Sequence, residues 1–344
     1  MLSVYTIENA NKWDEIVKSF SDYDTYWLSG YVKAFEIHGD GEPMLFYYES
    51  EKARGINVVM KRDIAKLPRF TGKLEEGTLF DFATVYGYGG WIIEGEDEKL
   101  FDEYKAWCKE NSVVSEFVRF HPMLQNQEAV NAFYNVIPLG LTVFMDISSD
   151  ETIWANLTSK NRNMIRKAQK SGIEIHRTKD IEIYNTFREI YNSTMDKDNA
   201  DDYYYFGEEF YESVCNDLAD NAEVFYATFE DKIIAASIMI YANGRINYHL
   251  SGSIREYANL APTNLLLYEA ALWGCANGYK TLYLGGGVGS GEDSLFKFKK
   301  AFYRKDVLPR FHIGKMIFDE DKYEMLLNLS GNDKTVSFFP QYRA

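Results

Sequence analysis

The residues best suited to chemistry lie near the end of the chain, in the segment 278–302 (GYKTLYLGGGVGSGEDSLFKFKKAF). An apolar strand at 281–284 leads into a glycine-rich loop, and a helix that opens with two acidic residues follows. Acids suit the positive N-terminal end of a helix dipole. The five loop glycines would let a ligand or another backbone approach closely. Because Lys297, Lys299 and Lys300 follow this loop, the segment is the first candidate for a reactive site.

The glycine pattern does not predict a nucleotide site. GVGSG lacks the GxGxxG spacing, no second βαβ unit follows, and a phosphate-binding GK[ST] ending is missing. The HExxH, GxSxG and EF-hand patterns are absent, and the five histidines show no ligand spacing. We therefore predict no metal and no bound cofactor. A glycine-rich turn that only redirects the chain is the alternative to a binding loop.

Composition predicts a folded protein of two domains. The chain has 344 residues, about twice the size of one ordinary domain. Hydrophobic residues make up 46%, with 26 Tyr, 23 Phe and 6 Trp, so a sizeable core can form. We expect some of the tyrosines to line a groove.

The segments typical of membrane or secreted proteins are missing. The best apolar run, 233–241, is nine residues long, against the roughly 20 that a membrane span needs. The first residues lack the basic and apolar stretches of a signal peptide. Three widely separated cysteines favour neither a disulfide framework nor a CxxC metal site. We therefore predict a cytoplasmic protein with no membrane span.

The charge is unfavourable for a general nucleic-acid binder, and DNA is not expected as a partner. The formal net charge is −15, whereas phosphate attraction usually needs an excess of Lys and Arg. One segment differs, since 160–170 (KNRNMIRKAQK) carries Lys160, Arg162 and Arg166 among five basic residues and no acid. It predicts either a local anion-binding surface or a solvated helix face.

Two stretches of the chain share a pattern. Residues 43–62 and 222–241 each read as an apolar strand, a charged turn and a second apolar strand. Placing Phe46 on Phe225 aligns them, which suggests two copies of one α/β unit.

The predicted elements are mixed in order, which favours an α/β or α+β fold over a Rossmann fold or a TIM barrel. The pattern predicts helices at 10–20, 29–38, 99–111, 148–172, 181–195, 208–219 and 261–277, with strands at 113–120, 141–147, 173–178, 246–251 and 281–284 besides the two hairpins.

Several motifs together resemble one family. They are the W..L..K.R..IRKA.K.G pattern from Trp154 to Gly172, NYHLSGS at 247–253, the apolar helix at 260–278, and LYLGG followed by FKKAF. The chain resembles the Fem aminoacyltransferases of peptidoglycan synthesis, within the GNAT superfamily. The resemblance implies two GNAT-like domains facing each other across a groove: residues 1–147, with 306–344 returning to them, and residues 148–305.

The resemblance also implies a reaction. In the Fem family an activated acyl group, usually an aminoacyl ester on tRNA, is attacked by an amine of a cell-wall precursor peptide. The lysine of the family's FK motif matches Lys299, with Phe298 beside it. A fixed positive charge shielded from water would stabilise a developing oxyanion by about 2.7 to 4 kcal/mol. A surface lysine on an amphipathic helix is the alternative interpretation of Lys299.

Further site residues are implied by the resemblance. The acceptor, a UDP-linked muramyl peptide or another amine-bearing cell-envelope precursor, is expected to contact residues of both domains. The expected contacts are Lys33, Tyr204, Tyr205, Tyr248, His121, Gly286 and Gly287. His121 stands where many relatives have the Asp of an RxDP stretch, so either a base near neutral pH or a structural histidine is predicted there.

The donor is expected to contact Lys160, Arg162, Arg166 and Arg255. Where an acetyl-CoA enzyme would carry a Q/R-x-x-G-x-G/A turn, this chain has REYANL from Arg255, in which only the arginine fits. The sequence therefore favours a donor other than CoA, and the resemblance implies an aminoacyl-tRNA. The alternatives are an acyl-CoA-dependent N-acyltransferase acting on an amino sugar or polysaccharide precursor, and a non-catalytic relative that binds a peptide or glycan.

Overall fold

The computed structural model describes residues 1–344. The chain forms two compact units, unit 1 comprising Met1–Leu139 with Phe311–Ala344 and unit 2 comprising Gly140–Arg310. The predicted boundaries at 147 and 306 fall inside unit 2 as the structure has it. The strand at Val143–Asp146 pairs within the second sheet, which explains the difference at the first boundary.

The elements are as follows. The strands are β1 (Leu2–Thr6), β2 (Glu42–Glu49), β3 (Ala53–Asp63), β4 (Phe80–Ala83), β5 (Ile92–Gly95), β6 (Val113–Arg119), β7 (Asn135–Leu141), β8 (Val143–Asp146), β9 (Glu174–Thr178), β10 (Ala222–Phe229), β11 (Lys232–Ala242), β12 (Arg245–Ser253), β13 (Thr281–Gly285) and β14 (Arg310–Ile317). The helices are α1 (Ala10–Lys18), α2 (Ser29–His38), α3 (Lys99–Glu110), α4 (Asp150–Asn156), α5 (Ser159–Lys170), α6 (Ile181–Asp198), α7 (Glu208–Asp217), α8 (Pro262–Ala276), α9 (Ser294–Lys300) and α10 (Glu320–Ser330).

Unit 1 is built on a mixed sheet. Its strands run in the order β1-β2-β3-β4-β6-β14-β7, and β5 pairs with β3. Strands β4 and β6 are parallel and are connected through α3, whereas β2 and β3 form an antiparallel hairpin. Large aromatic side chains fill the core between the sheet and α3, among them Phe46, Trp91 and, from α3 itself, Tyr104. Burial of such side chains is the main source of stability here.

A buried carboxylate lies within this core. Glu116 accepts hydrogen bonds from Asn57 Nδ2 (3.0 Å), Tyr104 Oη (3.0 Å) and Tyr134 Oη (2.7 Å). Burial raises the pKa of Glu116, although these donors oppose the rise. An unsatisfied buried polar group costs about 1 to 3 kcal/mol, so loss of either the carboxylate or its donors would destabilise this core.

Unit 2 has a six-stranded sheet in the order β8-β13-β12-β11-β10-β9. The parallel strands β12 and β13 are joined through α8, which is buried along most of its length. Their pairing ends at Asn247 and Tyr283, although β12 continues to Ser253. The two strands therefore separate beyond this point, at the end of β13 where the glycine loop begins.

The predicted repeat has a counterpart in both units. Phe46 lies in the hairpin β2–β3 and Phe225 in the hairpin β10–β11, and both hairpins are antiparallel. Each unit also has a parallel strand pair connected through a helix, α3 in unit 1 and α8 in unit 2. The shared pattern supports the interpretation of two copies of one α/β unit.

One predicted helix is wrong, because the segment 148–172 forms two helices, α4 and α5. Leu157 has ψ 142° and Thr158 has ψ 155°, so the backbone is extended between them. The side chain of Thr158 accepts a hydrogen bond from the backbone N–H of Asn161 (3.3 Å) and starts α5 as a new helix. The apolar periodicity runs through the break, so it gave no sign of it.

Candidate active site

The glycine loop connects β13 to α9 and is held by the N-cap residue of that helix. Asp293 is the N-cap residue, and its Oδ1 accepts a hydrogen bond from the backbone N–H of Phe296 (2.8 Å). The predicted strand, loop and helix are all present, but α9 ends at Lys300 and the chain turns over the next two residues. The short helix brings Lys299 back toward the loop.

Lys299 is the lysine of α9 that points into the protein. Its side chain is only 9% exposed, and Nζ donates a hydrogen bond to the carbonyl oxygen of Gly286 (2.7 Å). Burial lowers the pKa of Lys299 to about 8, and the charge of Asp293 opposes this fall. At neutral pH the amine therefore carries a proton in most molecules, within a largely desolvated setting.

The neighbouring lysines have other environments. Lys297 is exposed to solvent. Lys300 Nζ donates to the carbonyl oxygens of Tyr303 (3.0 Å) and Lys305, which closes the turn after α9. Lys299 is thus the one lysine of the three whose amine contacts the glycine loop, a distinction that the KFKK sequence does not provide.

Backbone conformation and close packing explain two of the glycines near the Lys299 amine. Gly285 has φ +80°, a left-handed conformation that favours glycine, and a Cβ there would lie 3.4 Å from Lys299 Nζ. A Cβ at Gly287 would lie 2.3 Å from both Asp293 Oδ1 and the carbonyl oxygen of Gly291. Phe298 is half-buried and packs edge-on against Phe302, with ring centroids 5.5 Å apart.

Tyr248 is the other predicted site residue in this part of unit 2. It lies on β12, one residue beyond the last pair with β13, and packs against the apolar core of the unit. Burial raises the pKa of Tyr248, so the phenol keeps its proton at neutral pH. The next residue, His249, is the extra residue of a β-bulge in β12, because Tyr248 pairs with Met239 and Leu250 pairs with Ile238 on β11.

The predicted donor residues form part of a basic surface on α5. Lys160 and Arg166 are exposed and Arg162 is partly exposed, whereas Ile165 and Ala168 face the core. The guanidinium of Arg166 lies 5.1 Å from the ring centre of Trp154 in a cation–π contact. Arg255 is also exposed, in the 3₁₀ segment Arg255–Leu260.

The loop before α8 is closed on itself. Lys167 Nζ donates to the carbonyl oxygen of Asn259 (2.5 Å), which ties the loop to α5. The backbone N–H groups of Tyr257 and Ala261 donate to carbonyls of the same segment (3.1 Å each). These two groups are therefore engaged inside the loop, whereas a pyrophosphate-binding turn would direct its N–H groups at the ligand.

The remaining predicted contacts are spread over the chain. Lys33 lies on α2 in unit 1 and is partly buried. In unit 2, Tyr204 is exposed and Tyr205 donates a hydrogen bond to Asp196 Oδ1 (2.7 Å), both after α6. Within unit 2 the structure brings Lys299 and Gly286 together, and the acceptor roles of the other residues stay predictions.

His121 lies in the core of unit 1. Its Nδ1 accepts hydrogen bonds from the backbone N–H groups of Met123 (3.2 Å) and Leu124 (3.3 Å), and its Nε2 lies 3.2 Å from Asp24 Oδ2. The side chains of His121 and Asp24 are both fully buried. This geometry assigns the ring proton to Nε2 and favours the structural interpretation of His121 over a base in contact with substrate.

Sequence reasoning missed the part that Asp293 plays in the site. It identified this residue only as an acid suited to a helix start, but Asp293 also accepts a hydrogen bond from the loop, at the backbone N–H of Val288 (3.1 Å). An acid six residues after the glycine run that ends at Gly287, and just before a helix, was the available signal.

Two further features concern metal binding and membrane crossing. The structure has no group of three or more His, Cys, Asp and Glu side chains placed to hold a metal ion. None of its helices combines the length and the apolar character that crossing a membrane requires.

Comparison with known proteins supports the fold. Residues 156–300 match the family model described as "Acetyltransferase (GNAT) domain". The crystal structure of FemX is similar, with a TM-score of 0.66 and 15% identity over 94% of this chain and 99% of that chain. L-PGS from Bacillus licheniformis has a TM-score of 0.55 and 13% identity over 93% of this chain and 95% of that chain.

A third similar structure is the C-terminal domain (DUF2156) of a putative lysylphosphatidylglycerol synthetase from Agrobacterium fabrum. Its TM-score is 0.54, with 13% identity over 90% of this chain and 91% of that chain. At these identities the likeness shows the fold. The predicted fold of two GNAT-like domains is confirmed. The resemblance to the Fem family is confirmed at the level of the fold. No curated protein matches the sequence of the chain.

Proposed function

Because the chain carries a GNAT domain over residues 156–300 and has the fold of FemX, we propose that it is a cytoplasmic aminoacyltransferase. Its donor is an aminoacyl-tRNA, and its acceptor is an amine of a cell-wall precursor peptide. The observation that carries the proposal is the buried Lys299 amine, held 2.7 Å from the Gly286 carbonyl in the glycine loop.

The chemistry follows from the charge of this amine. The neutral acceptor amine attacks the ester carbonyl carbon, a C–N bond forms, and the carbonyl oxygen becomes an oxyanion. Lys299 donates a hydrogen bond to that oxyanion from a site that water reaches poorly. The C–O bond to the ribose then breaks, and the ribose hydroxyl leaves with the proton that the amine gives up.

The donor assignment is supported by two features of unit 2. The backbone N–H groups of Tyr257 and Ala261 donate to the carbonyl oxygens of Ile254 and Ala258 within the segment 254–261, which is unfavourable for the pyrophosphate of CoA. The exposed basic residues of α5 suit a polyanion such as the acceptor end of tRNA.

An acyl-CoA-dependent N-acyltransferase is the second candidate, with an amino sugar or polysaccharide precursor as acceptor. The observation that favours it is the family model, whose description is an acetyltransferase domain. Lys299 would serve the same oxyanion, since a thioester and an ester both develop negative charge on the carbonyl oxygen.

The test is acyl transfer by the full chain. The protein is incubated with a mixture of charged tRNAs or with acetyl-CoA, each with UDP-linked muramyl pentapeptide bearing a free amine, and the mass of the acceptor is followed. An aminoacyl mass gain supports the proposal, and an acetyl gain supports the second candidate. If none of these donors changes the acceptor mass, the proposed reaction is wrong.

Two variants connect the reaction to the site. Lys299→Ala is expected to lower the turnover rate about 100- to 1000-fold, the usual effect of removing one oxyanion donor. Lys297→Ala is the matched control, since Lys297 is exposed on the same helix. Equal rates for the two variants would exclude Lys299 from catalysis.

A further inference from the structure

Asp293 contacts both segments that hold Lys299 in place. Its Oδ1 accepts the backbone N–H of Phe296 (2.8 Å) in the first turn of α9. Its Oδ2 accepts the backbone N–H of Val288 (3.1 Å) in the glycine loop. One carboxylate therefore fixes the start of the helix relative to the loop.

The glycine loop is packed tightly onto this carboxylate. Gly287 leaves so little space that a Cβ at this position would come within 2.3 Å of Asp293 Oδ1. Gly286, the residue before it, supplies the carbonyl oxygen that accepts the hydrogen bond from Lys299 Nζ. The contacts close a ring that runs from Asp293 through the loop to Lys299 and back along α9.

We propose that Asp293 is a positioning residue for Lys299, which holds the glycine loop and the start of α9 in the one arrangement that places the Lys299 amine at the Gly286 carbonyl. The consequence for turnover rests on the proposed function of Lys299. The consequence for the amine itself does not, because the contacts of Asp293 exist without substrate.

The charge of Asp293 supports the same role. The backbone N–H groups of Phe296 and Val288 lower the pKa of Asp293, so it is ionised at neutral pH. Its negative charge raises the pKa of Lys299 against the larger effect of burial. The position and the protonation of Lys299 thus depend on the same side chain.

Two variants separate the contacts. Asp293→Asn removes the charge, and since its amide has one oxygen it can accept one of the two N–H bonds well. Asp293→Ser keeps an N-cap acceptor for the helix and loses both the bond to Val288 and the charge. Asp319→Asn is the matched control, because Asp319 caps α10 through the same contact, Oδ1 with the N–H of Lys322 (3.0 Å).

Two measurements on the full chain are compared. Acyl transfer is measured with the donor that the wild-type protein accepts, and kcat and KM are determined separately. The protonation of Lys299 is measured by competitive labelling with a small amine-reactive reagent across pH, with peptide mass spectrometry to identify the labelled lysine. Unfolding transitions confirm that each variant is folded.

We expect both Asp293 variants to lower kcat about 10- to 100-fold with little change in KM, the size of effect that a small misplacement of a reacting group produces. The labelling midpoint of Lys299 should move to lower pH in Asp293→Asn, and Asp319→Asn should change neither quantity. The proposal is overturned if the Asp293 and Asp319 variants behave alike and the Lys299 midpoint does not move. If the wild-type protein transfers no acyl group, the proposed function fails, and the labelling still decides the role of Asp293.

Discussion

The Lys299 amine lies 2.7 Å from the carbonyl oxygen of Gly286, and this contact joins the end of α9 to the beginning of the glycine loop. A buried amine that donates to a backbone carbonyl is fixed in direction, and its burial lowers its pKa to about 8. The contact thus sets where the charge lies, and burial sets the pH range over which it exists.

The pH dependence of the reaction should report this amine. A group with a lowered pKa loses its proton as the pH rises through that value, so we expect kcat to fall above a pH of about 8. Lys299→Arg keeps a charge that does not titrate in this range, so whatever activity it retains should not fall there. Rate profiles from pH 6 to about 10 check this. An identical alkaline fall in both proteins would assign it to another group.

The glycine loop offers a test that leaves every charged side chain in place. Gly287→Ala should displace the loop, because the new Cβ would lie 2.3 Å from Asp293 Oδ1. We expect the rate to fall by at least about tenfold, since a shift of the Gly286 carbonyl also shifts Lys299. Steady-state kinetics with the accepted donor would measure the loss.

Gly291→Ala is the control for this loop variant. Gly287 and Gly291 have the same φ of −85°, and a Cβ at Gly291 would meet only the Val288 carbonyl oxygen, at 3.5 Å. The two variants therefore lose the same backbone freedom and differ in the collision. A similar loss of rate in both would mean that flexibility of the loop, not its packing onto Asp293, is what matters.

Local patterns predicted most elements and the residue Lys299, but not the contacts that give the site its properties. Helix α2 begins and ends at the predicted residues, since its apolar face and the left-handed Gly39 after it are local signals. That Lys299 and not Lys297 is buried depends on the direction of a seven-residue helix, which tertiary packing decides.

Two features have related causes: the unit boundary lies a few residues from the predicted one, and a break between α4 and α5 was not predicted. Strand β8 lies next to β7 in sequence, yet it pairs with β13, and strand pairing between distant segments leaves no local trace. At the break, Thr158 is the N-cap residue of α5, but the helical apolar pattern continues on both sides of it. The prediction followed that pattern and so gave one continuous helix.

The donor can be identified through salt dependence. If an aminoacyl-tRNA binds the basic surface of α5, Lys160→Ala and Lys170→Ala should each weaken its binding. Each should also make the negative slope of log affinity against log salt less steep by about 1. Binding of charged tRNA is measured between about 50 and 200 mM salt. Lys197→Ala is the control, an exposed lysine on α6. Unchanged slopes in both variants would place the donor elsewhere.

The C-terminal residues should contribute measurably to the stability of unit 1 through Asp81. This fully buried carboxylate accepts hydrogen bonds from Arg62 Nε (2.8 Å), Tyr342 Oη (2.9 Å) and Arg343 Nε (2.5 Å). Burial alone would raise the pKa of Asp81, but Arg62 and Arg343 lower it overall. Arg343→Met should lower the free energy of unfolding by about 1.5 to 3 kcal/mol at pH 7, the usual value of a hydrogen bond to a charged group.

The sign of the pH effect follows from the lowered pKa of Asp81. Such a carboxylate stabilises the protein above its unfolded-state pKa of about 4, and this contribution is lost as the pH falls through the folded-state value. The difference between wild type and Arg343→Met should therefore be largest near neutral pH and shrink in acid. Denaturant unfolding at a series of pH values measures it, with Arg304→Met, an exposed arginine, as the control. A difference that stays constant with pH would show that Arg343 acts through packing and not through the charge of Asp81.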